Sequence, residues 1–94
     1  VYVVAPATAD LLARLALGAA ADPVALLALT CRCPLLVCPA MNDAMWLAPA
    51  VQQNVAALRQ RGVELLGPVT GHLAEGYDAI GRMGGLDIVV LNAA

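Results

Sequence analysis

Short apolar runs alternate with longer amphipathic segments along the chain. The apolar runs are continuous, and most are bounded by proline or glycine, which is typical of strands buried in a parallel sheet. The predicted strands are residues 1–4, 35–38, 63–66 and 88–91, and the predicted helices are residues 9–20, 23–30 and 49–61. This alternation predicts an α/β fold with a Rossmann-like (flavodoxin-like) parallel sheet and helices on both faces.

Capping residues support the helix boundaries. Thr8 and Asp10 are both suitable N-caps for the first helix, and Asp22 precedes a proline at the start of the second. Pro49 suits the first turn of the third helix, and Gly62 suits its C-terminal end.

Ligands of open parallel sheets bind beyond the carboxyl ends of the strands. Three segments lie there: Ala5–Asp10, Pro39–Trp46 and Pro68–Arg82. We expect a long loop or irregular turn from residue 39 to residue 48, and a glycine-rich loop from residue 70 to residue 85.

Composition narrows the class of protein. The 94 residues are 62% hydrophobic and 13% charged, which is apolar for a domain that buries only about 60% of its unfolded surface. We therefore expect contacts with further protein or with other copies. The net charge of −2, without lysine, argues against nucleic-acid binding, and charged residues interrupt every apolar stretch before the ~18 residues that a membrane span needs.

The chain begins at Val1, inside a predicted strand and without an initiator Met. We interpret it as a fragment, incomplete at its N-terminus. No basic leader precedes an apolar run, so the cytoplasm is the expected location. Cys31, Cys33 and Cys38 are an odd number without metal-site spacing, and we predict small buried hydrophobic residues rather than a disulfide framework or a zinc site.

The first segment places the hydroxyl of Thr8 and several small residues at a helix N-terminus, where backbone N–H groups favour an anionic or polar ligand. A plain N-cap is the alternative interpretation.

The second segment places Asn42 after a strand, where its amide offers two donors and an acceptor to a substrate. Met41, Met45 and Trp46 are bulky enough to wall off a flat aromatic ligand. The alternative is that these side chains fill the core while Asn42 caps a turn.

The third segment has glycines near its ends and Glu75 in its middle, as a mobile flap would. Arg82 suits binding of a phosphate or carboxylate, and His72 is the only histidine. A solvated surface loop is the alternative.

Three motifs together resemble the phosphopantothenoylcysteine decarboxylase family of homo-oligomeric flavoproteins. They are A-P-A-T-A-D at residues 5–10, P-A-M-N-D-A-M-W at 39–46, and L-A-E-G with G-R-M at 73–76 and 81–83. The middle motif matches every fixed position of the family pattern P-x-M-N-x-x-M-W. The resemblance covers residues 1–83.

This resemblance implies a carbon–carbon lyase that uses FMN to decarboxylate 4′-phospho-N-pantothenoyl-L-cysteine, giving 4′-phosphopantetheine for coenzyme A biosynthesis. It also implies a trimer-based homo-oligomer and a possible fused ligase domain. The residues that it assigns to FMN are Thr8, Ala9, Asp10, Leu11 and Ala40. Those that it assigns to the substrate are Asn42, Met45, His72, Ala74 and Arg82, with Asn42 on the substrate carboxylate. No metal is implied.

The chain departs from the family at two site positions. Asp10 stands where the family usually has Asn, and Glu75 stands where the family flap has the Cys that donates a proton. We name Glu75 as the catalytic replacement, because a carboxyl group can donate a proton when burial raises its pKa. The family's catalytic His lies upstream of Val1, so we expect the 94 residues alone to be inactive.

Two rival functions stay open. One is a non-catalytic flavin-binding regulatory homologue, for which the loss of the Cys at position 75 argues. The other is an oxidative decarboxylase of a peptidyl C-terminal cysteine, whose enethiol product needs no final proton donor. Residues 84–94 form an atypical tail that is similar to the start of a ligase-like nucleotide-binding segment, although a simple buried strand explains it equally well.

Overall fold

The structure, a computed structural model, describes residues 1–72 and 78–82. The strands are β1 (Tyr2–Ala7), β2 (Leu35–Pro39), β3 (Glu64–Leu65), β4 (Val69–His72) and β5 (Asp78–Arg82). The helices are α1 (Ala9–Leu17), α2 (Pro23–Thr30), α3 (Asp43–Trp46) and α4 (Pro49–Gln60). The predicted strand at 88–91 and the tail at 84–94 lie outside the described residues.

A parallel sheet in the order β1-β2-β3 organises the chain. Val4 pairs with Val37, and Val37 pairs with Leu65. The register shifts after Val4, so that Ala7 pairs with Pro39 at the carboxyl edge. The predicted α/β class with a parallel sheet is confirmed.

Helices α1 and α4 contact each other and pack on the sheet through one apolar core. The largest fully buried side chains include Leu12, Leu58, Val37 and Val55. Arg61, at the C-cap of α4, ties the two helices together: its guanidinium donates to the Leu15 carbonyl oxygen at 3.2 Å and to the Ala16 carbonyl oxygen. These carbonyls belong to the last turn of α1, where backbone donors run short; the Leu15 carbonyl oxygen also accepts from the Gly18 N–H at 3.2 Å.

The predicted caps are found in the structure. The Thr8 hydroxyl accepts from the Leu11 N–H at 3.2 Å, so Thr8 rather than Asp10 is the N-cap of α1. Helix α1 ends at Leu17, earlier than predicted, because Gly18 adopts φ 81°, a left-handed conformation that glycine tolerates without a steric penalty. Gly62, with φ 85°, follows α4 in the same way.

Two segments predicted as loops are structured. Residues 43–46 form the short helix α3. The predicted glycine-rich loop is wrong for residues 70–72 and 78–82, because β4 and β5 pair there as an antiparallel ladder. Val69, Thr70 and Ile80 are β-branched and favour strands, whereas the glycines drew attention to turns.

The cysteine prediction is correct only for Cys38, which is free and buried, and burial raises the pKa of its thiol. Cys31 and Cys33 instead form a disulfide at the surface. The turn after α2 brings their Cα atoms within 5.5 Å of each other, a common spacing for a disulfide. Within the described residues, no helix is long and apolar enough to cross a membrane.

The N-cap of α2 predicts how stability changes in acid. The Ala25 N–H donates to the Asp22 carboxylate at 2.9 Å. This bond, with the nearby Arg14 charge, holds the Asp22 pKa below its usual value of 3.8 although desolvation opposes the shift. A carboxyl group whose pKa is lower in the folded state stabilises the fold above its unfolded pKa, and that stability is lost as the pH falls through the folded pKa. Below about pH 4, the free energy of unfolding should therefore fall.

Asp22→Asn should reduce this fall in the free energy of unfolding at acid pH, because asparagine caps a helix about equally well but does not titrate. Urea titrations at pH 7, 4 and 2.5 measure the effect. Asp22→Ala is the control, since it should lower stability already at pH 7. If Asp22→Asn loses as much stability between pH 7 and pH 2.5 as the wild type, the role given to Asp22 is contradicted.

Candidate functional site

The first two candidate segments, residues 5–10 and 39–46, meet at the carboxyl edge of the sheet. The Ala40 N–H donates to the Ala7 carbonyl oxygen at 3.0 Å, and Ala7 is fully buried. Thr8 follows Ala7 directly, and Asn42 lies two residues beyond Ala40. Thr8 and Asn42 cap α1 and α3, respectively, so two helix N-termini face the same edge of the sheet.

The first turn of α1 offers donors to a ligand. Thr8 is extended, with φ −74° and ψ 166°, and exposed. Its hydroxyl oxygen accepts from the Leu11 N–H, and its carbonyl oxygen accepts from the Leu12 N–H. Within the described part of the chain, the N–H groups of Ala9 and Asp10 have no acceptor. Together with the positive end of the helix dipole, these groups suit an anionic or polar ligand that approaches closely over Ala9.

Asp10 is exposed, and its carboxylate accepts from Arg14 Nε at 2.9 Å, one helical turn away. Arg14 also pairs with Asp22. An acid at the start of a helix is favourable for the dipole, and Arg14, which is shared with Asp22, offsets the charge of Asp10 only in part.

Asn42 uses its amide in two ways. Its Oδ1 accepts from the Met45 N–H at 2.9 Å and thereby caps α3. The alternative interpretation, in which Asn42 is a cap, is therefore confirmed. The half-buried side chain keeps an Nδ2 amino group with no acceptor among the described residues, and such a group is suited to a carboxylate or carbonyl oxygen.

The bulky residues of the motif divide between core and surface. Trp46 is 8% exposed and belongs to the core, so the interpretation as a core filler holds for this residue. Met41 also packs against the core. Met45 is 44% exposed and is the bulky side chain of the motif that remains available to a ligand.

The third segment approaches the second at the backbone level, because α3 and β5 are in contact. His72 pairs with Asp78 in the hairpin, and Arg82 pairs with Val69. His72 and Arg82 thus lie at opposite ends of the β4–β5 ladder. Ala74 and Glu75 lie outside the described residues, so their roles stay predictions.

The contact made by Gln52 was not predicted from the sequence. Its Nε2 donates to the Trp46 carbonyl oxygen at 2.6 Å. Nothing in the sequence distinguishes it from its exposed neighbour Gln53, because only the fold brings the first turn of α4 back over the end of α3.

A cavity of about 320 Å³ lies at the opposite, amino edge of the sheet, between α1, α2 and α4. Its lining includes Leu15, Leu29 and Arg61 but none of the candidate residues. The chemistry-bearing groups are at the carboxyl edge, so we place the candidate site there.

Comparisons with known proteins show the family of this chain. The flavoprotein family model matches residues 1–92. The chain is 54% identical over 81 residues to the coenzyme A biosynthesis bifunctional protein CoaBC of Mycobacterium tuberculosis, covering 86% of this chain and 19% of that protein. The chain thus spans about a fifth of the length of this curated relative.

Two solved structures are also similar. PPC decarboxylase in complex with pantothenoylaminoethenethiol superposes with a TM-score of 0.85 at 30% identity, over 88% of this chain and 47% of that one. The FMN-dependent cysteine decarboxylase SpaF gives a TM-score of 0.76 at 36% identity, over 97% of this chain and 48% of that one.

Proposed function

This chain belongs to the flavoprotein family, and on that premise we propose that it is part of an FMN-dependent decarboxylase of 4′-phospho-N-pantothenoyl-L-cysteine, a lyase of coenzyme A biosynthesis. The observation that carries the proposal is that the capped N-terminus of α1 and the Asn42 side chain lie at one edge of the sheet, where the Asn42 amino group has no acceptor among the described residues. The similarity to CoaBC and to PPC decarboxylase supports the choice of substrate.

The described residues fit FMN. Two unpaired N–H groups, a hydroxyl and small side chains suit a polar cofactor that approaches the backbone closely. The residues that would hold it are Thr8, Ala9, Asp10, Leu11 and Ala40. When bound, FMN supplies the oxidation and reduction that surround loss of carbon dioxide.

The chain's own contribution is to hold the substrate and to move a proton. Asn42 would donate to the substrate carboxylate, and exposed Met45 would line the apolar side of the site. His72, Ala74 and Arg82 would contact the substrate from the third segment. Glu75 would donate the final proton, which requires an environment that raises its pKa toward neutrality.

Exposed apolar side chains support a homo-oligomer, which we propose to be trimer-based. Leu26, Leu27 and Leu29 of α2 are 46%, 52% and 58% exposed. A helix without charged residues is normally buried, so this exposed apolar surface suits contact with another copy. A fused ligase domain is in keeping with the bifunctional relative, and the cytoplasm is the proposed location.

The proposal is tested by incubating the longest natural polypeptide that contains this chain with phosphopantothenoylcysteine and measuring the mass of the product. We expect release of carbon dioxide from phosphopantothenoylcysteine, with the saturated thiol as the product. Glu75→Cys should leave this activity within an order of magnitude. A large gain in thiol product would show instead that Glu75 is a poor donor and would favour the non-catalytic regulatory homologue.

A second candidate that we propose is oxidative decarboxylation of a C-terminal cysteine in a peptide; the match to SpaF, an FMN-dependent cysteine decarboxylase, supports cysteine as the reacting group. Its enethiol product is two hydrogens lighter than the thiol. Incubation with a peptide ending in cysteine, and with phosphopantothenoylcysteine in parallel, separates the two functions by substrate and by mass.

A further inference from the structure

We propose that Gln52 is a positioning residue, which fixes Asn42 in the site by holding the far end of α3. Its consequence for catalysis rests on the proposed function, whereas its consequence for the geometry of α3 does not.

Helix α3 has four residues, too few to be stable alone because the first helical turn is unfavourable to form. Its position therefore depends on tertiary anchors. Two of these anchors are the Trp46 indole in the core and the Gln52 side chain, which donates to the Trp46 carbonyl oxygen at 2.6 Å.

Backbone donors serve most of the other carbonyls around α3, but the carbonyl of Trp46 depends on the side chain of Gln52. The backbone pairs are Trp46 N–H to Asn42 O, Leu47 N–H to Asp43 O, and Ala48 N–H to Met45 O. Gln52 is itself fixed in the first turn of α4, because its own N–H donates to the Ala48 carbonyl oxygen at 3.1 Å.

Asn42 lies four residues before Trp46, about 6 Å away along a helix that rises 1.5 Å per residue. A shift at the Trp46 end therefore moves Asn42 and its amino group. Misplacement of a reacting partner by about 1 Å can lower a rate about a hundredfold.

Gln52→Ala removes the donor, and Gln52→Glu replaces it with an isosteric group that donates only when it is protonated. Gln53→Ala is the matched control, because Gln53 is adjacent to Gln52 and exposed like it, but makes no side-chain hydrogen bond in the described structure. All three variants are made in the longest natural polypeptide that contains this chain.

We expect kcat/KM for carbon dioxide release to fall about ten- to a hundredfold in Gln52→Ala, with little change in Gln53→Ala. In Gln52→Glu, activity relative to wild type should rise as the pH falls toward the pKa of the new carboxyl group, because only the protonated form donates. A role in packing alone would not produce that recovery.

Amide hydrogen exchange measures the effect of Gln52 on α3 independently of catalysis. The Met45 N–H, which donates to Asn42 Oδ1, should exchange faster in Gln52→Ala and Gln52→Glu than in Gln53→Ala. If the Met45 amide and kcat/KM are unchanged in both Gln52 variants, the proposal is overturned. If the wild type releases no carbon dioxide, the proposed function fails, and the exchange rates still decide the role of Gln52.

Discussion

Replacing Asn42 with alanine is expected to lower the rate of carbon dioxide release by about a hundredfold or more, the usual effect of removing one well-placed donor from an active site. The donor is the Nδ2 amino group, since Oδ1 already accepts the Met45 N–H at 2.9 Å. The measurement is single-turnover release of carbon dioxide at saturating phosphopantothenoylcysteine.

Alanine also removes the cap of α3, which typically costs about 1 kcal/mol of stability, so a second variant must separate capping from binding. Asn42→Asp keeps an oxygen for the Met45 N–H and caps a helix about equally well. It loses the amino group and brings a negative charge to the substrate carboxylate. We therefore expect Asn42→Asp to be as inactive as Asn42→Ala while its free energy of unfolding stays within about 0.5 kcal/mol of wild type.

Normal turnover in either variant would show that Asn42 does not bind the substrate. Normal turnover in Asn42→Asp alone would show that capping of α3 is what Asn42 contributes. FMN absorbance in each variant checks that loss of activity is not loss of cofactor.

The sequence predicted best what depends on local chemistry. Continuous apolar runs identified the first three strands, and Thr8 and Asp22 marked the starts of two helices because a cap acts within its own turn. The P-A-M-N-D-A-M-W motif located Asn42 at a strand end. These features need no knowledge of the rest of the fold.

Features that depend on distant neighbours were not predictable. The presence of Trp46 in the motif is compatible both with lining a ligand and with filling the core, and only its burial in the same core as Val51 and Val55 decides for the core. The pairing of β4 with β5 was not predicted, because the glycines of this segment suggested a loop and pairing between strands is a tertiary property. Likewise, nothing local marks Gln52 as the partner of a carbonyl six residues earlier.

Trp46→Ala is expected to lower the free energy of unfolding by about 3–5 kcal/mol, the usual cost of truncating a buried large aromatic residue. Trp46 is 8% exposed and packs in the same core as Val51 and Val55, so its removal leaves a cavity beneath the α3–α4 junction. Urea denaturation of the full polypeptide measures the loss through the unfolding midpoint.

Leu47→Ala is the matched control, because Leu47 is adjacent in sequence but 63% exposed, and surface truncations usually change stability by less than about 0.5 kcal/mol. Trp46→Phe, which keeps an aromatic ring in the core, should lose less than Trp46→Ala. Because the same indole anchors α3, Trp46→Phe should also retain more activity than Trp46→Ala at a temperature where both are folded. Equal losses of stability in Trp46→Ala and Leu47→Ala would mean that the indole is not part of the core, and the anchoring of Asn42 through α3 would then lose its basis.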